Sequence, residues 1–445
     1  MTFEDIASFA LNQDDVPVPA RAMAATLLLD TLGVAAGAAT LEPARIARDH
    51  AVAFHAAGSA EHAARLLFDG RSASIPGAAF AAATQIDNLD AHDGYNPTLG
   101  HIGCAVVPAL FAFAEARPEL SGRDALAALA MSYELAARAG IALHATVSDY
   151  HTSGAWNALG VAALGCRLRR ASPDKLRQAL GIAEYHGPRS QMMREISHPT
   201  MLHDGSGMGA LVGSMATVMA EAGFTGAPAL TVEGREAAAH WRDLGTDWTI
   251  TRNYIKPYPI CRWAHGALDA LSRLIDAHEV TAEEIAAVHV NTFAQSAALF
   301  AGMPETTSQA QYSLPFALAA LLMHGQLGPD EITGARLSDP AVAALLPKIT
   351  VREVARHSER FPAGRWSDVT LTLRDGRTLA SGDVNARGGP EAPLTDAETE
   401  AKFHRMAASL GRSRADALWA MRHRLVEDDA RFSELAPLVY PAPGA

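Results

Sequence analysis

Three aspartates and two histidines fall within fifteen residues, Asp87-Asn88-Leu89-Asp90-Ala91-His92-Asp93-Gly94-Tyr95-Asn96-Pro97-Thr98-Leu99-Gly100-His101. The stretch lies between two apolar, Ala-rich segments, where charge is costly to bury unless it is paired or used. Acids beside imidazoles are the materials of proton transfer, because their pKa values can be tuned towards neutrality. The alternative is a solvated loop carrying two helix caps.

Four further segments concentrate polar groups. Asp149-Tyr150-His151-Thr152-Ser153-Gly154 precedes a run of small residues, so a helix starting near Gly154 could hold an anion on its amides. Equally, Thr152 or Ser153 could simply cap that helix. Arg189 and Arg194 supply guanidinium groups suited to carboxylates, or form a solvated basic loop. His203-Asp204-Gly205-Ser206 is a second possible anion site, or a tight packing turn. Lys256, Arg262 and His265 cluster where two prolines, Pro257 and Pro259, break the helical pattern; His265 could equally be a core histidine. No P-loop, dinucleotide fingerprint or His-Glu-x-x-His pair is present. The Asp/His spacing is a poor ligand pattern, so no metal and no cofactor are expected.

The elements that must position these groups are mostly helical. The chain has 445 residues, 49% hydrophobic and 19% charged, enough for two or three packed domains. Its net charge of −12 argues against nucleic-acid binding. Cys104, Cys166 and Cys261 are far apart and indicate neither a disulfide scaffold nor a zinc ribbon. No signal peptide and no apolar run of membrane-spanning length is evident, which predicts a cytoplasmic protein without a membrane partner.

Apolar segments predict helices over 21–38, 75–86, 102–115, 122–139, 154–168, 175–185 and 205–222, with no strand among them. The pattern then changes. A helix over 262–278 is followed by a strand over 285–292, a helix over 312–324, and two strands within 367–385 joined at Asp375-Gly376. Helices resume to about 425, and 437–445 reads as a loose tail. The fold class is therefore mainly α: a large all-helical domain (1–255), an inserted smaller α+β domain (256–395), and C-terminal helices (396–445) that return to the first. A cleft between domains is a common place for a small-molecule site.

Taken in order, these segments resemble the MmgE/PrpD family over nearly the whole chain. The resemblance rests on Asp30-Thr31-Leu32-Gly33, the Asp-rich stretch ending in His101, Tyr150-His151-Thr152-Ser153-Gly154, Leu202-His203-Asp204-Gly205, Gly223-Phe224-Thr225-Gly226, and Lys256-x-Tyr258-Pro259-x-Cys261 with His265. Tyr312-Ser313-Leu314-Pro315-Phe316-Ala317, Asp375-Gly376-Arg377, Pro393-Leu394-Thr395 and Lys402-Phe403 extend it. It implies an α+β lid over a helical domain, a homodimer, and cofactor-free proton transfer next to a carboxylate. Within the family that chemistry appears as dehydration, decarboxylation or epimerisation. Asp90, His101, His151 and His265 match positions of the decarboxylase branch. Three positions depart from it: Gly94 falls near a Thr, Thr200 replaces a Lys, and Phe316 replaces a Tyr.

The resulting expectation is a cofactor-independent lyase of dehydratase type acting on a small di- or tricarboxylic acid. His101 or His151 would remove the proton α to a carboxylate. Asp90 or Asp93 would orient that imidazole or protonate the leaving hydroxyl. His265 is a further catalytic candidate, and Arg189, Arg194, His203, Lys256 and Arg262 would bind substrate. One alternative is an epimerase working on an iminodisuccinate-like dicarboxylate with His101 and His151 as two bases. Another is a non-catalytic carboxylate-binding homologue.

Overall fold

Small residues let the N-terminal helices touch backbone to backbone. A Cβ on Gly213 would lie 2.4 Å from the Ala158 carbonyl oxygen, so helices Gly154–Leu168 and Ser206–Glu221 meet with nothing between them. Around this pair stand helices Val18–Ala38, Ile75–Asp87, Gly103–Ala114, Gly122–Thr146 and Pro173–His186. The computed structural model describes residues 1–441 and is 59% helix and 9% strand, mainly α as expected.

The later sequence builds a mixed sheet. Strand Ile285–Thr292 pairs in parallel with Ile349–Glu353 on one side and antiparallel with Trp366–Leu373 on the other. Thr378–Ala380 and Val384–Asn385 also pair with Trp366–Leu373. Helix His265–His278 packs on this sheet. The sheet region has its own apolar core, which reaches back to Val34, Ala38, Ile86, Leu89 and Cys104 of the helical region. Helices Asp396–Met406 and Arg412–Arg424 return to Val18–Ala38.

Four expectations need correction. A short hairpin, Ala63–Arg65 with Ser72–Ser74, interrupts the helical region. Strand Ile349–Glu353 had no alternating apolar signal, because its residues are only half-buried or exposed. Residues 437–441 are not loose: Ala436–Val439 is helical, and Tyr440 is buried with the Arg65 guanidinium 4.0 Å over its ring. The rest of that tail, 442–445, lies outside the described residues. Finally, Val18–Ala38 and Gly122–Thr146 are long and apolar enough to cross a membrane. Both are packed largely inside the protein and carry buried charge at Asp30 and at Glu134 and Arg138.

Asp30 explains how the Asp-rich loop is held. Lys402 Nζ forms a buried ion pair with Asp30 Oδ1, at 2.5 Å, and also donates to the Ala91 carbonyl at 2.9 Å. One ammonium thus ties the C-terminal helix, the second helix and the loop together. Asp93 sits beside this pair with its carboxyl turned into the core, accepting a bond from Tyr133 Oη at 3.0 Å. Burial pushes the Asp93 carboxyl up to about 7, despite the Tyr133 bond.

Two stability measurements follow from this cluster. Removing one partner of a buried pair costs about 3–5 kcal/mol. Lys402→Met should therefore destabilise strongly in urea unfolding, whereas adding Asp30→Asn should cost less than the sum of the single changes. Simple additivity would show that the two residues do not act as a pair. Asp93 has a folded pKa above its unfolded value, so between roughly pH 4 and 7 the folded state holds the extra proton and stability falls as pH rises. Asp93→Asn removes that dependence. Its stability relative to wild type should rise with pH up to about 7, by at most ~4 kcal/mol. A pH-independent difference would contradict this.

Candidate active site

The loop after helix Ile75–Asp87 parts its three aspartates. Asp87 Oδ2 accepts from the Ser206 N–H at 3.0 Å, at the start of helix Ser206–Glu221. The helix N-terminus is thus taken by an internal carboxyl group, that of Asp87. Asp87 Oδ1 lies 3.4 Å from His92 Nε2. Asp90 has its backbone in the left-handed region (φ 51°) and is paired with Lys256, whose Nζ also donates to the Asp90 carbonyl at 2.7 Å. Both partners are buried.

His101 is fixed from several directions. Its Nδ1 lies 2.7 Å from the Asp93 carbonyl oxygen. A carbonyl can only accept, so Nδ1 carries the proton and Nε2 is left as the basic nitrogen of the neutral ring. Its main-chain N–H donates to Ser153 Oγ at 3.0 Å, and Asn157 Nδ2 donates to its carbonyl at 3.0 Å. The Nε2 face looks towards Asp204 Oδ2 at 3.6 Å, too long for a direct hydrogen bond but close enough for charge to act. Burial holds the imidazole below its ordinary pKa, and Asp204 opposes that shift. His92 meets the ring edge-on at 4.4 Å between centroids.

Asp204 is itself locked. Ser153 Oγ donates to its Oδ1 at 2.6 Å, so Ser153 bridges His101 and Asp204 rather than capping its helix. Its N–H donates to Glu195 Oε2 at 2.6 Å, and its φ is 45°. Glu195 also accepts from Tyr312 Oη. Burial, then the nearby Asp204, lift the Glu195 carboxyl well above the usual range. His203 Nδ1 is 4.0 Å from Glu195 Oε1, and burial holds its pKa down. Asp90 and Lys256 act electrostatically on both His101 and His203.

A cavity of about 520 Å³ opens beside this group, lined among others by Asp87, Asn88, Thr152, Arg194, Glu195 and His203. The expected residues divide accordingly. Asp90, His101, His203 and Lys256 come together. Asp93 joins them through its carbonyl, not its carboxyl. Arg194 is exposed on the cavity wall, and Arg189 is exposed without lining it. Arg262 is spent on the carbonyls of Arg387 and Ala386, at 2.6 and 3.1 Å, and lies 4.3 Å over the Tyr254 ring. His265 is a core histidine whose Nε2 donates to the Ile260 carbonyl at 2.9 Å. His151 faces His144, stacked at 6.4 Å, with its N–H donating to His144 Nε2. Its neighbour Tyr150 also packs beside His144, at 5.7 Å between centroids, and donates to the Leu99 carbonyl.

The three departures from the family pattern have local explanations. A Cβ on Gly94 would meet Tyr254 Oη at 2.3 Å, so no Thr fits beside this tyrosine. Thr200 is exposed at the cavity rim. Phe316 is buried in the apolar core of the sheet region, and a site hydroxyl comes instead from Tyr312.

Among the described residues, two groups of side chains have an arrangement a metal could use. Asp87, His92 and Cys104 bring ligand atoms within 4.8 Å of one another, as do His357, Asp368 and Asp383. In the second group Arg356 and Arg360 already neutralise the carboxylates. In the first, the Ser206 N–H and hydroxyl engage Asp87 and Cys104 respectively.

Asp87, Ser153, Glu195, Asp204 and Tyr312 escaped the list of expected site residues. All but Glu195 lie inside motifs already singled out. Glu195 follows Arg194 with no signal of its own.

Comparison with known proteins identifies the family. The MmgE/PrpD N-terminal domain matches residues 4–250, and the C-terminal domain matches 258–426. The cis-aconitate decarboxylase-like protein oryM of Aspergillus oryzae is 24% identical over 382 residues, 76% of each chain. The cis-aconitate decarboxylase of Mus musculus is 23% identical over 357 residues, 75% of this chain and 72% of the relative. That of Homo sapiens is 24% identical over 370 residues, covering 75% and 73%. With both domains matched in order across almost its full length, this chain belongs to the MmgE/PrpD family.

Proposed function

We propose that the protein is a cytoplasmic, cofactor-independent lyase of dehydratase type. It would remove a proton next to a carboxylate of a small di- or tricarboxylic acid. The observation that carries this reading is the fixed tautomer of His101. Its Nδ1–H is tied to the Asp93 carbonyl, which leaves Nε2 as a buried, neutral base.

His101 Nε2 takes the α proton, and the electron pair moves onto the substrate carboxylate as an enediolate. Loss of the β-hydroxyl then forms the double bond, with a proton delivered to the departing oxygen. Glu195 is the candidate donor, because it lines the cavity and burial pushes its carboxyl above the usual range. Lys256 supplies positive charge for the enediolate, tempered by Asp90. Arg194 is placed to hold a remote carboxylate at the cavity wall. His101 is its own base in this scheme, so the reaction calls for no cofactor.

The relatives' names favour decarboxylation as a second reading. Thr200 and Phe316 weigh against it, since they remove an anchor and a hydroxyl from the expected places. An epimerase would now pair His101 with His203, because His151 faces away towards His144. Exposed Met201, Leu202 and Met208 at the cavity rim support a homodimer covering this face. Sedimentation velocity should give a dimer, and a monomer at micromolar concentration would remove that part of the proposal.

Proton NMR in deuterium oxide, with 2-methylcitrate, citrate, cis-aconitate and iminodisuccinate, separates the readings. Gain or loss of water supports the dehydratase. Release of carbon dioxide supports the decarboxylase, and deuterium exchange alone the epimerase. Binding without turnover supports a non-catalytic homologue. His101→Ala should lower turnover at least about 100-fold with the circular dichroism spectrum unchanged; near-normal turnover would end the assignment of His101 as base.

A further inference from the structure

Buried carboxyl groups crowd the surroundings of His101, and Asp87 and Glu195 among them line the cavity. Asp87, Glu195 and Asp204 are all within a few per cent of full burial. Two of them are pushed towards the neutral acid: burial and the neighbouring Asp204 lift the Asp87 and Glu195 carboxyls well above the usual range. Asp90 is matched by Lys256. Among the described residues, Asp204 has no Lys or Arg partner, and it lies 3.6 Å from the basic nitrogen of His101. It cannot swing aside. Ser153 holds its carboxylate, Glu195 holds its N–H, and the Gly154 N–H donates to its carbonyl at 2.9 Å.

Asn88 Oδ1, Asp90 Oδ2 and Gln311 Oε1 nearby are buried acceptors without a donor, although the ring nitrogens of His92, one of them an N–H, are also unpartnered. The amide orientations are fixed, because Asn88 Nδ2 donates to the Thr84 carbonyl and Gln311 Nε2 donates to the Asn88 carbonyl. Asp87 and Asn88 stand on the cavity wall. Buried acceptors left unmet are costly, and a ligand that brings only further carboxylate oxygens would worsen the account.

We infer that Asp204 is a specificity-determining residue that selects acids bearing a hydroxyl or ammonium donor beside the reacting carbon, over acids with the same carboxylates and no donor. The inference rests on the reading above that the site takes a small carboxylic acid. Asp204 accepts the donor's hydrogen through Oδ2, while His101 Nε2 addresses the neighbouring carbon. A bare C–H at that position leaves the carboxylate unmet, and a carboxylate there is repelled.

Matched acids test this by calorimetry on the full-length protein: citrate against tricarballylate, and L-malate and L-aspartate against succinate. In each pair the carboxylates are the same and only the donor differs. The donor-bearing acid of at least one pair should bind the wild type about tenfold tighter or more. In Asp204→Asn, which keeps the shape, that preference should shrink to within about threefold. Equal binding in the wild type, or a preference that survives in Asp204→Asn, overturns the inference.

A second readout needs no ligand. His101 faces Asp204 from the turn before helix Ser206–Glu221, Lys256 and Tyr254 from the segment between the domains, and Asp90 and His92 from its own loop. Loss of the Asp204 charge should lower the His101 pKa followed by NMR of labelled histidine. An unmoved His101 overturns the inference by itself. If no acid binds while His101 responds, the small-acid reading has failed and the Asp204–His101 pairing stands.

Discussion

The structure depends on one constraint: the charges of the segment between Asp87 and His101 are buried, and each must find its match far away in the chain. Asp90 is matched by Lys256, 166 residues on. Asp87 takes the helix N-terminus at Ser206, and Asp93 takes the Tyr133 hydroxyl. The loop's carbonyl at Ala91 is held by Lys402, which also neutralises Asp30 across 372 residues of sequence. Leaving any of these groups alone in an apolar interior would cost several kcal/mol. The loop can therefore adopt its shape only when the helical region, the segment between domains and the C-terminal helix are all in place. The conformation that presents His101 is built from the whole chain.

This dependence explains what could be read from the sequence. Helices such as Gly154–Leu168 are local objects, visible as unbroken runs of small apolar residues flanked by turn residues. The acid and imidazole stretch was visible because charge between apolar segments demands a partner. The partners were not visible, since nothing local links residue 256 to 90 or 402 to 30. Strand Ile349–Glu353 was missed for a related reason: its place is set by pairing with Ile285–Thr292, and its own pattern is weak.

The misplaced site residues have simple geometric causes. His151 is stacked on His144, Tyr150 packs beside the same ring, and neither lines the cavity. Arg262 sits where the cleft should be, yet its Nη1 and Nη2 donate to the main-chain carbonyls at 387 and 386. Asp93 does orient His101, but through an oxygen that every residue carries. Residue type alone gave no way to tell a carboxylate's work from that of its main chain.

The crowding of acids around His101 has a consequence for the chemistry. Several carboxyls that share one dry site cannot all be charged, so their pKa values separate. Asp87 and Glu195 are pushed towards the neutral acid, partly by Asp204 itself. Glu195 accepts from both Tyr312 Oη and the Asp204 N–H, and these bonds oppose the upward push of burial without cancelling it. The imidazoles are pushed the opposite way, towards the neutral base, by the same burial. Desolvation therefore prepares both halves of a proton transfer at once: bases without their proton and acids still holding theirs. Neither state needs a metal or a second cation to maintain it; the apolar walls that made the charged stretch conspicuous are sufficient.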